Sequence, residues 1–370
     1  MKKFLYGATA LVGLVIGNVH AAAEPLKLSL SINMQEWFGI VKHERDAGQD
    51  FNTFGVNTDN EIHFKAKTVL ENGIEAETFL RLNVYDNNRI SSNSGSVGLD
   101  EEWVSLGGTF GKVYAGAKDS INKSLHNEPV DYGIGYDDVS IWVLRPTSGP
   151  WGSTPLVNGQ ARTSLEQLAN AQPMVGYISP KLAGLQLGLT YVPNVGILGT
   201  NSNSGLHTTN HWDMTLAYTR EFQGVSLGFD SGFAHQDVSE SSAIRNDLSA
   251  WNVGCKLGYA GFTLGASFIE SQRPGHHADD SYTWNAGLGY ANGPWGVSYT
   301  YYQERRRGMP TMDSQNEMFR AHLVSGKYIL GPGITLKSSF FHGRFNVRNR
   351  DVDNLNTWGY GLVSGLDVNF

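Results

Sequence analysis

Short segments with alternating apolar and polar residues recur along the whole chain, and they constrain its fold more than any other feature. In VSLGFDSGF, residues 225–233, large apolar side chains alternate with serine, glycine and aspartate. A period of two places the two kinds of side chain on opposite faces of a β-strand. We count sixteen such segments, and every second connection between them is a tight turn that contains glycine, while the others are long and polar. The pattern predicts strands that run up and down in sequence order.

The C-terminus indicates how this sheet ends. The last ten residues, GLVSGLDVNF, keep the alternation up to Phe370. Chain ends fray unless they are tied into a structure. We therefore expect the last strand to pair with the first, Leu26–Val41, and an even number of strands returns both termini to the end that carries the tight turns. The prediction is an all-β fold, a closed antiparallel barrel of sixteen strands.

The faces of the strands indicate that the barrel spans a membrane. Aromatic residues recur near the strand ends, as in Trp212, Tyr290, Trp295 and Trp358. A sheet can cross a lipid bilayer only by closing on itself, because every backbone polar group must be paired internally. Apolar residues outside, polar residues inside and aromatic girdles at both interfaces are typical of outer-membrane barrels. A secreted soluble β-protein is the alternative, but it leaves the many glycines on the polar faces unexplained.

The N-terminus predicts export. The chain begins MKKFLYGATALVGLVIGNVHAAAEP, with Lys2 and Lys3, an apolar run to Ile16, and small residues around Ala21. This is the layout of a secretory signal peptide, and the apolar run is shorter than the roughly 20 residues that span a membrane. We expect residues 1–21 to be the signal peptide, with cleavage at 21 to 23, and residues 22–370 to form a single barrel domain.

Charge and cysteine content exclude other classes. Removal of Lys2 and Lys3 without any acidic residue changes the formal net charge from −7 to −9. Nucleic acid is not expected as a partner, because phosphate binding needs a basic face. Cys255 is the one cysteine, so the chain forms no intramolecular disulfide.

Several stretches resemble one protein family. They are PLKLSLSINMQEWFGIV after the signal peptide, LDEEWVSLGGTFGKVYAGAKDS before the longest connection, GYISPKLAGLQLGLTYVP after it, and the terminal phenylalanine. Together they resemble Gram-negative general porins, the outer-membrane diffusion channels, and are most similar to those of alphaproteobacteria. The resemblance implies a homotrimer in the outer membrane that passes small hydrophilic solutes and ions by passive diffusion, with no catalysis and no cofactor. It also implies that the assembly machinery recognises Phe370.

The same resemblance implies a constriction inside the barrel. The third external loop, residues 119–172, is expected to fold into the lumen and to place acidic groups opposite a basic wall, which together set the selectivity of a pore. The candidate acidic residues of the loop are Asp119, Glu128, Asp131, Asp137 and Asp138. The candidate basic residues, on the inward parity of nearby strands, are Lys27, Lys65, Lys67, Arg81 and Lys112. The alternative is that the acidic residues are merely solvated.

Two other functions remain open in the sequence. A substrate-selective channel, for a sugar or an organic anion, could use aromatic rings in the long loop, namely Tyr132, Tyr136, Trp142 and Trp151. A hydrolase barrel is conceivable because serine, histidine and aspartate are abundant. No segment carries a recognisable nucleophile motif, however, and a catalytic triad depends on geometry rather than on composition.

Loop residues suggest weaker partners. His276 and His277 beside Asp279 and Asp280 could bind a metal ion, although adjacent loop histidines are more often solvated. Acidic loops could bind calcium weakly. The basic stretch Arg305–Met309 lies at the base of an external loop, where it either contacts lipopolysaccharide phosphates or is solvated.

Assembly and ion preference also follow from the pattern. Ala66, Ala76, Ala115 and Ala117 lie on the outward parity of early strands, where small residues let a neighbouring wall approach. We therefore expect the trimer contact on the first five strands, next to the last one. The negative charge of the mature chain predicts a weak preference for cations.

Overall fold

The structure, a computed structural model, describes residues 24–43, 53–86, 98–144, 159–195, 208–238, 247–272, 280–307, 316–348 and 356–370. The predicted signal peptide, residues 1–21, lies outside the described residues, as do Trp151, His276 and His277.

The described chain forms a closed barrel of sixteen strands, which confirms the predicted fold. Each strand pairs antiparallel with its neighbours in sequence, and the last strand pairs with the first, with Asn369 opposite Asn33. The strands are β1 (Lys27–His43), β2 (Phe54–Val69), β3 (Glu75–Asp86), β4 (Gly98–Gly108), β5 (Gly111–Lys118), β6 (Gln172–Ile178), β7 (Leu185–Asn194), β8 (Thr208–Phe222), β9 (Val225–Val238), β10 (Leu248–Tyr259), β11 (Phe262–Gln272), β12 (Ser281–Asn292), β13 (Trp295–Arg307), β14 (Asn316–Gly331), β15 (Ile334–Arg348) and β16 (Thr357–Asn369).

The second strand is longer than its sequence suggests. Polar residues up to Asn57 predict a loop and a strand that begins at Glu61, but β2 begins at Phe54. Its early residues keep the strand period, since exposed Phe54 and Val56 alternate with Gly55 and buried Asn57. The polar residues before Asn57 therefore hid the beginning of β2 from sequence analysis. Pairing with β1 stabilises this part of the strand.

The tight turns have the backbone conformation that the sequence predicts. At Gln223-Gly224, between β8 and β9, both residues have positive φ, 49° and 79°. Ala260-Gly261, between β10 and β11, repeats this with 48° and 85°. Positive φ at both central residues matches the right-handed twist of the flanking strands. These turns lie at one end of the barrel, and the strand ends that lead into the long connections lie at the other.

The two faces of the wall are the inverse of those in a water-soluble protein. Large apolar side chains point outward and are exposed, for example Phe229 at 53% and Leu227 at 45%. On the inward face of the same strand, Asp230 and Ala234 are fully buried. An apolar exterior around a polar interior suits lipid on the outside, which argues against the soluble alternative.

The connection between β5 and β6 carries the helical turns of the described chain. It contains α1 (Ile121–Leu125), α2 (Val139–Trp142) and a 3₁₀ turn (Leu165–Leu168). The side chain of Ser120 caps α1 by accepting a hydrogen bond from the Asn122 amide, 3.1 Å. This connection is the long loop predicted at residues 119–172, and its path determines the shape of the lumen.

Candidate functional site: the lumen and its long loop

The long loop begins by packing on two glycines of the inner wall. Ile121 and Leu125 of α1 lie against Gly176 of β6 and Gly188 of β7. A Cβ atom at Gly188 would come within 2.7 Å of Leu125 Cδ1, which is closer than atoms can pack. Thr190 of β7 accepts a hydrogen bond from the Ile121 amide, 3.0 Å. Small residues on the inner face therefore provide the space for the first turn of the loop.

The loop then crosses the middle strands in an extended path. The Asn127 amide and side chain both donate to Asp230 of β9, at 2.7 and 2.9 Å. Pro129 follows and lies over Gly265 of β11 and Gly287 of β12, where a Cβ atom would sit 2.6 and 3.0 Å from the proline. The glycines on the polar faces, which a soluble protein would leave unexplained, are the surface on which this loop lies.

Residues 132–142 of the loop continue along the inner wall past β13 and β15 to β1 and β2. Backbone amides of Tyr132 and Ile134 donate to Ser298 of β13 and Ser339 of β15, both at 3.0 Å. Trp142 at the end of α2 lies against Gly39 of β1. It also lies against Gly55 of β2. The outgoing half of the loop thus follows the inner wall from β6 round to β1 and β2.

The returning half, residues 159–171, lies above the outgoing half, nearer the end with the long connections. The Gly159 amide donates to Glu304, 2.7 Å, and Tyr302 donates to the Ala161 carbonyl, 2.7 Å. Tyr302 and Glu304 come after Ser298 in β13 and therefore lie closer to the end of the strand that leads into a long connection. Gln236 of β9 donates to the Leu168 carbonyl, 2.6 Å. The loop therefore covers much of the inner wall in two layers.

The inner wall of β2, β3 and β5 carries a row of charged groups instead. Lys65 and Lys67 contact Glu77 and Glu75 at 2.6 and 2.7 Å. Lys112 of β5 contacts the same two carboxylates at 3.1 and 3.2 Å. A recess of about 390 Å³ opens beside Glu75 and Lys112, at the end with the tight turns. Three of the predicted basic residues are therefore brought together, each paired with glutamate.

Aromatic rings stand next to this charged row. Contacts link the rings of His63, Phe79, Trp103 and Tyr114 on β2, β3, β4 and β5, with centroid distances of 5.4, 5.3 and 5.2 Å. Lys118 lies 5.4 Å from the Trp103 ring and 5.5 Å from the Tyr114 ring, within cation–π range. Sequence reasoning missed this row, although all four rings lie on the inward parity of strands that it placed correctly.

A denser ionic cluster surrounds Arg81. Its guanidinium contacts Asp100 and lies 3.4 Å from Glu101, 3.8 Å from Glu61 and 3.9 Å from Asp119. Four carboxylates around one arginine leave the cluster negative. Of the residues involved, only Arg81 and Asp119 were predicted, because Glu61, Asp100 and Glu101 belong to strands rather than to the loop.

Asp119 joins this cluster to the loop. Lys123 of α1 contacts its carboxylate at 2.6 Å, and the Ala171 amide donates to it at 3.0 Å. Burial favours the neutral acid, but Lys123 and Arg81 outweigh burial and lower the pKa of Asp119 to about 2. Its negative charge is thus fixed where the loop leaves the wall.

The other predicted acidic residues of the loop have different environments. Glu128 accepts a hydrogen bond from Thr163, 2.5 Å, and Asp137 lies 3.5 Å from Arg162. Asp131 accepts from the Gly133 amide at 2.6 Å, where burial raises its pKa. Asp138 precedes α2 without capping it through its side chain. The five carboxylates therefore do not form one cluster.

The two layers of the loop enclose a polar cavity of about 150 Å³. Arg162 bridges the layers by contacting Glu166 at 3.0 Å and Asp137 at 3.5 Å, and Lys123 contacts Glu166 at 2.8 Å. The lining residues are Lys123, His126, Glu128, Tyr136, Asp137, Arg162, Ser164 and Glu166. These ion pairs stiffen the loop from within.

Lys27 does not join the basic wall. It lies near the beginning of β1, at the end of the barrel with the tight turns, and contacts Glu24 at 2.8 Å. Both side chains are exposed. Its inward parity was correct, but position along the barrel axis decides which wall residues lie close to the loop.

The three described aromatic residues of the set proposed for a sugar surface anchor the loop instead. Tyr136 is buried and packs on Tyr302 with a centroid distance of 5.7 Å. Tyr132 lies under Lys327, 4.3 Å from ring centroid to Nζ, and Trp142 is buried between loop and wall. Rings in these positions do not offer a stacking surface to a passing sugar.

A buried histidine, His126, also fastens the loop. His126 Nδ1 lies 2.7 Å from the Asp230 carboxylate, and His126 Nε2 lies 3.1 Å from the Thr163 hydroxyl. Hydrolases place a carboxylate, an imidazole and a hydroxyl in the same order. Thr163 is fully buried, and its hydroxyl also bonds Glu128 and Ser267. A hydroxyl that is closed off and shared in this way holds the two layers together and cannot reach a substrate.

Among the described helices, none is both long and apolar enough to cross a membrane.

Solved structures share this fold over almost the whole chain. An anion-selective porin from Comamonas acidovorans superposes with a TM-score of 0.64 at 15% identity, covering 94% of this chain and 100% of that chain. OmpF of Salmonella typhi gives 0.59 at 14% identity, covering 93% and 97%. The outer-membrane channel DcaP of Acinetobacter baumannii gives 0.61 at 9% identity, with the same coverage. At these identities the likeness concerns the fold.

The sequence itself supplies the family. No curated protein matches it significantly. Residues 7–347, however, match the sequence profile of the Gram-negative porin family. The profile and the closed barrel of sixteen strands agree, and the chain belongs to the Gram-negative porin family.

Proposed function

We propose that this outer-membrane channel passes small hydrophilic solutes and ions by passive diffusion along the inner wall of β2 to β5. The observation that carries the proposal is the path of the long loop, which lies against the inner wall from β6 round to β1 and β2. The wall of β2, β3 and β5 faces the loop with lysine and glutamate side chains such as Lys65 and Glu77. A water-filled route with charged walls suits polar solutes and disfavours apolar ones.

The charges along this route favour cations. The cluster at Arg81 contains four carboxylates against the guanidinium and Lys123, whereas the three lysines of the row exceed Glu75 and Glu77 by one charge, so the cation preference comes from the cluster. Asp119 stays ionised because its pKa is lowered to about 2. Acidic rings favour cations in pores. The likeness to an anion-selective porin concerns the fold, so the selectivity is argued from these residues.

Single-channel recordings in a salt gradient test this proposal. The reversal potential of the refolded wild type should show a preference for potassium over chloride. The Asp119→Asn variant should weaken that preference, whereas Asp131→Asn, whose carboxyl packs on the wall, should keep it. A clear chloride preference of the wild type, or equal effects of both variants, would contradict the proposed route.

A saturable channel for one sugar or organic anion is the alternative function. No described ring of the loop supports it, since Tyr132, Tyr136 and Trp142 pack against the wall. Concentration-dependent block of the current by a sugar would favour the alternative, and unsaturated flux ordered by solute size would favour diffusion.

We further propose that the channel is a homotrimer whose contact lies on β1 to β5. Glu36 lies on the outward parity of β1 and accepts hydrogen bonds from Thr58 and Asn60 of β2, at 2.6 and 3.2 Å. Glu102 of β4 is also exposed on the outward face. A charged group facing lipid is costly, so this polar patch is better covered by protein. OmpT of Vibrio cholerae, a structure with the same fold, has been solved in a trimer form.

Bulky substitutions test this face. Light scattering in mild detergent should report a trimer for the wild type. Ala115→Trp on β5 should yield monomers, because a large ring keeps neighbouring walls apart, and the matched Ala266→Trp on β11 should remain trimeric. A monomeric wild type, or disruption by Ala266→Trp alone, would contradict the proposed contact.

Lipopolysaccharide is a proposed partner at the outer rim. Arg320 of β14 and Arg344 of β15 lie directly opposite each other, and both are exposed on the outward parity near the long connections. Arg305 of β13 lies nearby, 5.7 Å from the Tyr282 ring. Like charges opposite each other repel unless an anion lies between them, and arginine suits phosphate. Three further proposals come from the sequence: the assembly machinery recognises Phe370, the acidic loops bind calcium weakly, and the chain is most similar to the porins of alphaproteobacteria.

A further inference from the structure

Three potential metal ligands meet on the outer surface, at the ends of β9 and β10. His235 and Asp237 are near the end of β9, and Asp247 immediately precedes β10. The register pairs Ser249 with His235 and Leu248 with Gln236, so the next position brings Asp247 opposite Asp237. All three lie on the outward parity, and His235 contacts the girdle residue Trp212.

Their distances are close to those of a coordination shell. His235 Nε2 lies 3.2 Å from Asp237 Oδ1 and 3.9 Å from Asp247 Oδ2, and the three ligand atoms all lie within 4.8 Å of one another. The bonds from zinc to nitrogen or oxygen ligands are about 2.0–2.2 Å long. In a tetrahedral site the ligand atoms are therefore roughly 3.3–3.6 Å from one another. Small side-chain movements therefore suffice to bind one ion.

Neighbouring groups orient the ligands. Ser249 Oγ lies 3.0 Å from His235 Nδ1, which leaves Nε2 directed at the two carboxylates. Asn210, at the bulge of β8, donates to Asp237 Oδ2 at 3.0 Å and leaves Oδ1 towards the histidine. Asn210 has a positive φ of 56° and accepts from Tyr191 at 2.9 Å. Such supporting hydrogen bonds are typical of metal sites, where they fix the orientation of the ligands.

We propose that His235, Asp237 and Asp247 form a divalent metal site of the zinc type on the outer rim of the barrel. Two carboxylates directly opposite each other repel and destabilise a strand pair, and a cation bound between them would relieve this repulsion. One imidazole with two carboxylates suits zinc or manganese better than calcium or magnesium, which prefer oxygen ligands alone. The bound ion ties the ends of β9 and β10 together on either side of their long connection. The site lies outside the lumen and is independent of conduction.

Calorimetric titration of the refolded, untagged full chain with zinc chloride in detergent tests the proposal. We expect one zinc ion per chain and much weaker binding of calcium. His235→Ala and the nearly isosteric Asp247→Asn should each weaken zinc binding about 10-fold or more, since even supporting residues act on this scale. Each variant should keep its heat-resistant barrel.

Two matched controls distinguish this site from other histidines. His322→Ala removes an exposed outward histidine of β14, and the double variant His276→Ala, His277→Ala removes the adjacent pair of the sequence. Both should bind zinc like the wild type. Absence of zinc binding by the wild type, binding that Asp247→Asn leaves unchanged, or binding that disappears with His276 and His277 would overturn the proposal. If the wild type binds no zinc, the contacts of His235 with the two carboxylates are ordinary hydrogen bonds or ion pairs.

Discussion

Asp119 shows how a single loop residue depends on the wall beneath it. Its carboxylate contacts Lys123 on the loop and lies 3.9 Å from Arg81 on β3. Because the folded protein lowers its pKa to about 2, the unfolded chain binds more protons between that value and the ordinary pKa of about 4. Folding stability from this residue is therefore present above pH 4 and is lost as the pH falls towards 2.

We expect the Asp119→Asn variant to denature at a lower temperature than the wild type at pH 7. The difference should shrink as the pH falls towards 2, because Asp119 becomes protonated in the folded protein while the asparagine stays neutral at every pH. Heat-modifiability on gels, measured after incubation at each pH, checks this. An equal difference at both pH values would show that Asp119 acts through shape and not through charge.

Asp131 has the opposite dependence on pH. Burial raises its pKa, so the folded state binds more protons than the unfolded chain just above pH 4, and stability falls as the pH rises through that range. Asp131→Asn keeps an oxygen for the Gly133 amide. It should be at least as stable as the wild type at pH 7 and equal to it near pH 3. A clear loss of stability at pH 7 would contradict this.

Glycine on the inward faces determines where the long loop lies. Gly265 on the inward face of β11 would place a Cβ atom 2.6 Å from the backbone of Pro129, whereas a Cβ atom at Gly326, on the outward face of β14, would find its nearest neighbour at 3.8 Å. Overfilling a packed contact costs about 1–3 kcal/mol. The loop thus packs closely on the wall because glycine leaves no side chain between them.

Gly265→Val should therefore push the loop into the remaining opening. We expect a lower single-channel conductance and a lower denaturation temperature, and the matched Gly326→Val should change neither by a comparable amount. Recordings in planar bilayers measure the conductance. Wild-type conductance in Gly265→Val would show that the loop does not border the route of the ions.

The strand that closes the barrel depends on its backbone more than on its last ring. Phe370 donates its amide to Ile32 at 3.0 Å and accepts from the Ile32 amide at 2.7 Å, and its side chain is 67% exposed. Full burial of such a ring contributes only about 1.5–3 kcal/mol. Removal of the ring leaves both hydrogen bonds intact.

Phe370→Ser should accordingly refold in detergent into heat-resistant, conducting barrels. In cells it should reach the membrane poorly if the terminal ring serves recognition, as the family resemblance implies. Quantitative gels of outer-membrane fractions, compared with refolding yields, separate the two roles. A refolded protein as defective as the cellular one would assign Phe370 a structural role.

The sequence predicted the barrel well because strand period and connection length are local properties. The sixteen strands and their order followed from the alternation and the connection lengths, and the pairing of β16 with β1 followed from the strand pattern at the C-terminus. The beginning of β2 was missed, since Phe54 and Val56 follow a polar stretch and depend on pairing with β1.

The lumen was predicted less well because it depends on contacts between distant residues. Parity placed Lys65, Lys67, Arg81 and Lys112 on the inward face, yet the partners of the three lysines lie on strands, and of the partners of Arg81 only Asp119 belongs to the loop. The spacing of residues along a loop does not indicate where their side chains point. The sequence therefore could not distinguish Asp131, which packs on the wall, from Asp119, which joins the ionic cluster. Glycines that faced inward were the available signal for the path of the loop.

We infer that solutes pass along the wall of β2 to β5 while the loop covers the wall at β13. A charged thiol reagent, applied during single-channel recording, tests it in a Cys255→Ser background. Lys65→Cys should react and lower the current, whereas Ser298→Cys, whose hydroxyl bonds the loop at Tyr132, should not respond. Current block through Ser298→Cys together with an inert Lys65→Cys would contradict the account.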